Sequence, residues 1–421
     1  MLQIRRIFPR PDARYLLVML AALAFAVKVF LALHTLGSFD TLTWQRDLDL
    51  IHAQGVPALY REGISYFSPE GRLLIEQPFI HPPFVIHLLR VWEFLSNSTS
   101  FPIQFWIRLT CALADGCSLL LLAGILRQSG VGRVLSRLCV FAICPAAILI
   151  SGFHGNTDPI MMMFVLASIY LIECRRAPWA AGVPLGMALN IKLAAVLFMP
   201  AIFLGISGFR KKLELGTIAA VTMLAGSIPY IFQEPRLILT RLGEYKSQFG
   251  TWGIGRLCSA FGHGDSLNLE CEAYRLYGGY SVLLLITVLT IWKSKRRSKA
   301  PLFEHCGLAA FIFLALTPGF GVQYLAWSIP FAALLTGWPA ALYHIVTGGF
   351  LAAYYYRVTH AWPAYLASTF DQPAWYGHVL YLGFLCWIVI CVNAFVLVKP
   401  ASHGPDVVRV DQNSTSRSAK A

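Results

Sequence analysis

Charge is scarce in this sequence of 421 residues, of which only 13% are Asp, Glu, Lys or Arg and 57% are hydrophobic. A typical soluble domain carries about twice that charged fraction. The sequence also lacks a Walker A loop, a Rossmann glycine pattern, an HExxH motif and zinc-type pairs among its ten cysteines. The composition excludes a disordered protein, a coiled coil and an ordinary soluble enzyme, and it predicts a polytopic membrane protein.

Apolar runs recur along the chain and predict an all-α polytopic membrane protein with about 11–12 transmembrane helices. The first run, from Tyr15 to about Leu36, follows a basic N-terminus and ends without a cleavage site, so we expect a retained span. The other predicted spans cover 103–126, 136–153, 159–173, 178–207, 214–233, 277–292, 302–320, 322–339, 341–356 and 377–398.

The net charge of +13 is concentrated in short loops between these runs. Short basic loops face the cytoplasm, so the charge indicates topology rather than nucleic-acid binding. The segment 178–207 has basic residues at both ends and contains Pro184 and Lys192. It predicts two short, broken helices that enter the membrane and return. The polar residues 401–421 predict a disordered cytoplasmic tail.

The remaining long loops fall on the outer face of a single domain that covers residues 1–400. They span roughly 38–102, 234–276 and 357–376. In the first loop, the apolar run 84–95 predicts an interfacial helix, because its charged residues recur on one helical face. These residues are His87, Arg90 and Glu93. Cys258 and Cys271 share the second loop, where a disulfide fits an oxidising compartment.

Charged side chains follow the first predicted span directly. They are Asp40, Arg46, Asp47 and Asp49. A carboxylate at the membrane edge is partly desolvated, which raises its pKa and makes it a better base near neutral pH. Each acid alone could also be a solvated loop residue or a helix N-cap. Later in the same loop, His81-Pro82-Pro83 predicts a rigid turn before the interfacial helix.

A short turn between two apolar runs carries His154, Asn156 and Asp158. It lies on the same predicted outer face and offers an imidazole, an amide and a carboxylate together. A helix start with Asp158 as its cap and Pro159 at its first position explains the last residues of the turn but not the histidine.

Other polar residues interrupt the apolar segments. Lys192 lies near the middle of its apolar segment, where a lysine indicates function. Its natural partner is an anionic head group such as a lipid phosphate. Alternatively, the side chain snorkels to the nearer membrane interface. Gln323 and Tyr324 follow a Gly/Pro break and begin a helix that could face an anionic or sugar ligand, or could form a tight turn. Arg108 and Asp115 share one face of a span and could line a cavity.

Together these features resemble the polytopic GT-C glycosyltransferases, which use a polyprenyl-phosphate-linked sugar as donor. The resemblance covers roughly residues 15–340 and rests on short motifs. They are an acid in the first outer loop with Gly55-Val-Pro-Ala-Leu-Tyr60 and His81-Pro82-Pro83, the turn His154-Gly-Asn-Thr-Asp158, the Lys192 segment ending in Met199-Pro200, Gln323-Tyr324-Leu-Ala-Trp327, and Ser247-Gln-Phe-Gly-Thr-Trp-Gly253. Because Gly155 and Asn156 replace an aromatic residue and Gln, mannosyltransferases of the actinobacterial type are at least as similar as dolichyl-phosphate-glucose enzymes.

The resemblance implies transfer of a hexose, with mannose favoured, from a polyprenyl-phosphate donor to a hydroxyl of a lipid-linked or glycan acceptor, with inversion. The implied catalytic residues are Asp40 as the base, with Asp47, His154 and Asp158. The implied substrate-binding residues are Arg46, His81, Asn156, Lys192, Gln323 and Tyr324. No metal or cofactor is expected, although Asp47, Asp49 and Asp158 could bind a hard cation if they cluster. Membrane lipids are expected partners and nucleic acid is not.

The alternative is a secondary transporter or lipid-carrier flippase with a polar intramembrane path through Lys192, Arg108 and Asp115. Transporters often repeat their broken helices, and one broken segment is evident here. We expect the active site on the outer face of a bacterial plasma membrane. In the other setting, the endoplasmic reticulum, the sequon at Asn97 could be glycosylated.

Overall fold

The structure is a computed structural model. It describes residues 11–35, 37–67, 73–77, 79–129, 131–243, 247–261, 265–296, 300–359 and 377–398. The predicted tail 401–421 and most of the predicted outer loop 357–376 lie outside the described residues.

Helices make up most of the described chain. The first half contains α1 (Pro11–His34), α2 (Phe39–Gln54), α3 (Val56–Arg61), α4 (Phe84–Asn97), α5 (Ile103–Gln128), α6 (Val134–Ala142), α7 (Pro145–Leu149), a π-helical turn (Ile150–His154) and α8 (Asp158–Glu173). An antiparallel hairpin of β1 (Ile64–Phe67) and β2 (Leu73–Gln77) follows α3, with Ile64 paired to Gln77.

The second half contains α9 (Pro178–Ile191), a 3₁₀ helix (Leu193–Phe198), α10 (Met199–Leu204), α11 (Phe209–Ile231), α12 (Pro235–Gly243), α13 (Gly253–Phe261), α14 (Asp265–Arg296), α15 (Leu302–Leu316), two 3₁₀ helices (Val322–Trp327 and Pro330–Leu334), α16 (Gly337–Thr359) and α17 (His378–Val398). Cys258 of α13 and Cys271 of α14 form the predicted disulfide, with their Cα atoms 5.6 Å apart.

Within the described ranges, six helical stretches are long and apolar enough to cross a membrane. They are Arg14–His34, Ile103–Gln128, Val134–His154, Phe209–Ile231, Asn268–Arg296 and His378–Val398. Shorter apolar stretches cover Leu193–Leu204, Leu302–Leu316 and Val322–Leu334. The prediction of an all-α polytopic membrane protein is confirmed, while the total of about 11–12 spans stays a prediction.

The segment between the first two of these candidate membrane spans contains α2, α3 and α4. In α4, one face is buried and the opposite one carries exposed Arg90. The buried residues are Val85, Ile86, Leu89 and Trp92. This two-sided character agrees with the predicted interfacial helix.

The segment 178–207 enters the bundle and returns, as the sequence predicts. Helix α9 ends where Lys192 adopts extended backbone, with φ of −158°. Residues from both ends of the segment meet, because Glu173, Arg176 and Ser207 line one cavity of about 450 Å³. Lys192 instead contacts Asp158, at the far end of the 16-residue helix α8, which is about 24 Å long.

Two intramembrane charges of α5 hold α1 in place. The buried guanidinium of Arg108 donates hydrogen bonds of 2.8–3.4 Å to carbonyl oxygens in the last turns of α1 and just beyond it. Asp115 accepts from Lys28 of α1 and from Ser151 of the π-helical turn. These contacts satisfy charges that are costly in an apolar interior. Both side chains are therefore used in helix packing, and Asp115 also lines a small cavity of about 10 Å³. That the two residues share one cavity stays a prediction.

We expect Lys28→Met and Asp115→Leu each to lower the free energy of unfolding by about 3 kcal/mol, because either change leaves a buried charge without its partner. The double variant removes both charges and is expected to recover most of that loss. Thermal unfolding of the purified protein in detergent measures the effect, with the exposed-site variant Lys211→Gln as control. If the double variant loses as much free energy of unfolding as the two single variants lose together, the pairing of Lys28 with Asp115 is contradicted.

Candidate active site

The turn that joins the π-helical segment to α8 is anchored on α2. Gly155 has φ of +80°, a conformation that favours glycine. A side chain at this position would also collide with Thr41 of α2. The carbonyl oxygen of His154 accepts from the Ser38 hydroxyl at 2.5 Å, and that of Gly155 accepts from the Trp44 indole at 3.1 Å. The turn therefore fixes where the first turn of α2 lies.

This docking brings together Asp40, His154 and Asn156. The Nε2 atom of His154 lies 3.1 Å from the Asp40 carboxylate, and the amide nitrogen of Asn156 donates to the same oxygen. The Asp40 side chain is 26% exposed and that of His154 only 5%. Since Nδ1 of His154 is buried with no hydrogen-bond partner among the described residues, Nε2 is the nitrogen that directs a proton to Asp40.

The electrostatics of Asp40 differ from the expectation of a raised pKa. Burial raises the pKa of this carboxyl. The charge and hydrogen bond of His154, the amide of Asn156 and the charge of Lys192 together lower it by more, so that the pKa is about 2. The sequence-based expectation considered desolvation alone and is wrong in sign, because it lacked the partners that stabilise the ionised form. Asp40 is thus ionised at neutral pH and able to accept a proton, although its lowered pKa makes it a weaker base than burial alone would have made it.

Asp158 and Lys192 form a second, fully buried pair beside this cluster. The Lys192 ammonium lies 3.0 and 2.9 Å from the two carboxylate oxygens of Asp158. The indole of Trp327 also donates to Asp158. The ammonium lies 5.1 Å from the ring centroid of Tyr324, within cation–π range. Asp158 is therefore committed to Lys192 and Trp327, which makes it a poorer candidate for a base than Asp40.

His81 lies close to both groups. Its ring packs 4.8 Å from that of Trp44 and 5.5 Å from that of Phe79. Burial lowers the pKa of His81 to about 3, and the positive charge of Lys192 acts in the same direction. A neutral imidazole in this position can contact a substrate hydroxyl or phosphate without adding charge.

The other predicted site residues are more dispersed. Asp47 follows Asp40 by seven residues on α2 and is 3% exposed; burial raises its pKa. Arg46 and Asp49 lie on the exposed face of that helix, and Gln323 is half-buried beside Tyr324. The acids therefore do not converge, and the described residues contain no group of three metal-ligating side chains. The expectation of no metal stays a prediction.

Sequence reasoning did not identify Tyr355 as a site residue. Its ring lies 5.7 Å from that of His154, and its buried hydroxyl has no hydrogen-bond partner among the described residues. It belongs to α16, far along the chain from the turn. The only signal was the aromatic run Tyr354-Tyr355-Tyr356 in a predicted span, which resembles ordinary core packing.

The family comparison agrees with this architecture. A family model described as glycosyltransferase family 87 matches residues 79–318, more than half of the chain. This range includes the turn and Lys192, while Asp40 precedes it.

One relative, from Mycobacterium tuberculosis, is described as a polyprenol-phosphate-mannose-dependent alpha-(1-2)-phosphatidylinositol mannoside mannosyltransferase. It is 24% identical over 295 residues, which cover 66% of each chain, so the match spans just under two thirds of the relative's length. The resemblance to GT-C mannosyltransferases is confirmed, and the transporter or flippase alternative is not supported. The chain is a multi-pass membrane protein and belongs to glycosyltransferase family 87.

Proposed function

We propose that this glycosyltransferase transfers a hexose, with mannose favoured, from a polyprenyl-phosphate donor to a hydroxyl of a lipid-linked or glycan acceptor. The observation that carries the proposal is the ionised Asp40 carboxylate, oriented by His154 and Asn156 and partly open to solvent, beside the buried cation of Lys192. The named donor of the mycobacterial relative supports the same donor class.

In the proposed reaction Asp40 accepts the proton of the acceptor hydroxyl. The acceptor oxygen then forms a bond to the anomeric carbon on the face opposite the lipid phosphate. The bond between that carbon and the phosphate oxygen breaks, and its electron pair leaves with the phosphate. A single displacement of this kind inverts the anomeric configuration. His154 and Asn156 keep the Asp40 oxygen pointed at the hydroxyl.

Lys192 is the proposed anchor of the donor phosphate. After His154, it is the other cation whose charge lowers the Asp40 pKa. A phosphate gains negative charge as it leaves, so a fixed cation in an apolar surrounding stabilises the transition state more than the ground state. Tyr324 packs against the ammonium, and His81 offers a neutral imidazole nearby. Arg46, on the exposed face of α2, remains a candidate contact for the acceptor.

The site is proposed to face the periplasmic or extracellular side of a bacterial plasma membrane. Arg176 lies just beyond one end of α8, and Lys192 contacts the opposite end of that helix. Because short basic loops face the cytoplasm, the end with Lys192 is proposed to face outward. The disulfide between Cys258 and Cys271 is consistent with an oxidising compartment for the second outer segment.

The first test is transfer by the purified protein, incubated with polyprenyl-phosphate mannose and a panel of lipid-linked acceptors. We expect Asp40→Asn to reduce transfer by about 10²–10⁴-fold, because the amide cannot accept the proton. Asp49→Asn, on the exposed face of the same helix, is the matched control and should retain activity. Product analysis should show the inverted anomer.

Two results would contradict the assignment. Near wild-type transfer by Asp40→Asn would remove this residue as the base and direct attention to Asp47 or Asp158. Movement of the lipid-linked sugar across sealed vesicles without any transfer would favour the transport alternative.

The pH profile tests the role of His154. In the wild-type protein the Asp40 pKa of about 2 keeps the base ionised, so kcat/KM should show no loss from this group between about pH 5 and 8. His154→Gln removes the imidazole that lowers the Asp40 pKa, while burial, which raises that pKa, remains. We therefore expect kcat/KM to fall as the pH decreases through a raised Asp40 pKa. The control is His52→Gln, and identical profiles for both variants would argue against the pairing.

A neutralised pair tests the phosphate role of Lys192. Lys192→Met combined with Asp158→Asn removes both charges, so no buried charge is left alone. We expect the donor KM to rise and kcat to fall, so that kcat/KM for the donor decreases about 10–100-fold from the loss of a charge-assisted hydrogen bond, with little change in the acceptor KM. Lys28→Met combined with Asp115→Leu neutralises a second buried pair, outside the proposed phosphate contact, and should leave the donor KM unchanged. Equal donor KM values in both double variants would exclude this role.

A further inference from the structure

A wedge-shaped groove lies at the opposite end of the bundle from Asp40. Its volume is about 420 Å³. One wall is a single face of α6, the other is a single face of α16, and the 3₁₀ helix Pro330–Leu334 contributes the floor. The wall residues are Arg133, Ser136, Arg137, Val140 and Phe141 on one side, and Gly337, Ala340, Ala341, His344 and Ile345 on the other.

The two walls converge at the inner end of the groove. The missing side chain of Gly348 allows Pro145 to approach, and a Cβ atom there would lie 2.7 Å from the proline Cβ. Just before this contact, Nδ1 of His344 lies 3.3 Å from the Cys144 sulfur. Towards the other end, glycine and alanine on α16 leave the space between the helices unfilled. The groove is thus closed at one end and wide at the other.

The edges of the groove are exposed, apolar side chains. Val140 is 39% exposed and Ile345 is 69% exposed, on opposite walls. Because α6 belongs to a helical stretch suited to crossing a membrane, these edges face lipid. From residue 337 to residue 345 the wall is about 12 Å long, comparable with the roughly 15 Å depth of one leaflet's hydrocarbon. Trp338, 63% exposed beside the wide end, has the position of an interfacial aromatic residue.

The wide end of the groove is basic. Arg133 is exposed at the N-terminal cap position of α6. Arg137 donates to the carbonyl oxygens of Ala333 and Leu335, which holds its guanidinium at the groove. The first turn of α16 adds the positive end of a helix dipole. Among the described residues that line the groove, none is an acid.

We propose that this groove binds one anionic phospholipid. Its phosphate lies between Arg133, Arg137 and the first turn of α16, and one acyl chain lies against the apolar walls. Basic pockets between membrane helices are suited to anionic head groups, and the apolar length selects a lipid over a free anion. The groove is separate from the proposed transfer site, at the opposite end of the bundle from Asp40.

The test measures lipid binding to the full-length protein by native mass spectrometry and by the midpoint of thermal unfolding. The ligands are phosphatidylglycerol, phosphatidylcholine with matched chains, and glycerol 3-phosphate. We expect phosphatidylglycerol to bind most tightly and to raise the midpoint. Arg133→Gln should weaken its binding about fivefold, since one basic residue near the head group is lost. Lys211→Gln, an exposed cation on α11 outside the groove, is the control.

A second variant tests the apolar part without changing charge. Ala340→Leu fills the groove and should weaken both phospholipids while leaving the basic end intact. Equal binding of phosphatidylglycerol and phosphatidylcholine by the wild-type protein would overturn the proposal, as would unchanged binding in Arg133→Gln. Binding of glycerol 3-phosphate as tight as that of phosphatidylglycerol would replace the lipid site with a simple anion site.

Discussion

The site depends on how the turn from His154 to Asp158 satisfies its backbone polar groups away from water. Backbone carbonyls at membrane depth need partners, and the side chains of Ser38 and Trp44 supply two of them. These hydrogen bonds, together with the close approach allowed by Gly155, fix the first turn of α2 against the bundle. The same contacts that remove a backbone penalty therefore bring Asp40 to the side chains of the turn. Catalytic geometry and local folding are one arrangement here.

The buried charges on α1, α5 and the Lys192 segment divide into two kinds, although each of them has hydrogen-bond partners. Lys28 with Asp115 joins α1 to α5 and the π-helical turn, and Arg108 caps α1. Their partners are entirely internal and lie in helix contacts, which is the pattern of packing. Lys192 with Asp158 differs because its neighbours are aromatic rings and its charge acts on Asp40. An intramembrane charge thus indicates function only when its field reaches a group that can react.

Features carried by local sequence were predictable. The helical segments follow from apolar runs, the break at Lys192 from an interrupted run, and the site turn from three polar residues within five positions. Three other features were not predictable from the sequence. They are the sign of the Asp40 pKa shift, the hydrogen bonds between Arg108 and α1, and the contact between the rings of Tyr355 and His154. Each depends on which face of a helix meets a distant segment, and helices that are apolar all round give no pattern to identify that face.

The Lys192–Asp158 pair explains how an apolar site can receive an anionic donor. A lone lysine is costly to bury, whereas Lys192 has both carboxylate oxygens of Asp158 within 3.0 Å. When a phosphate approaches, the ammonium can turn from carboxylate to phosphate, and the indole of Trp327 still bonds to Asp158. In the proposed transfer, Asp40 gains the acceptor proton while the departing phosphate gains a negative charge. The net charge of the site then stays constant. One negative charge is lost at Asp40 and one appears on the phosphate beside Lys192, where a cation is already fixed.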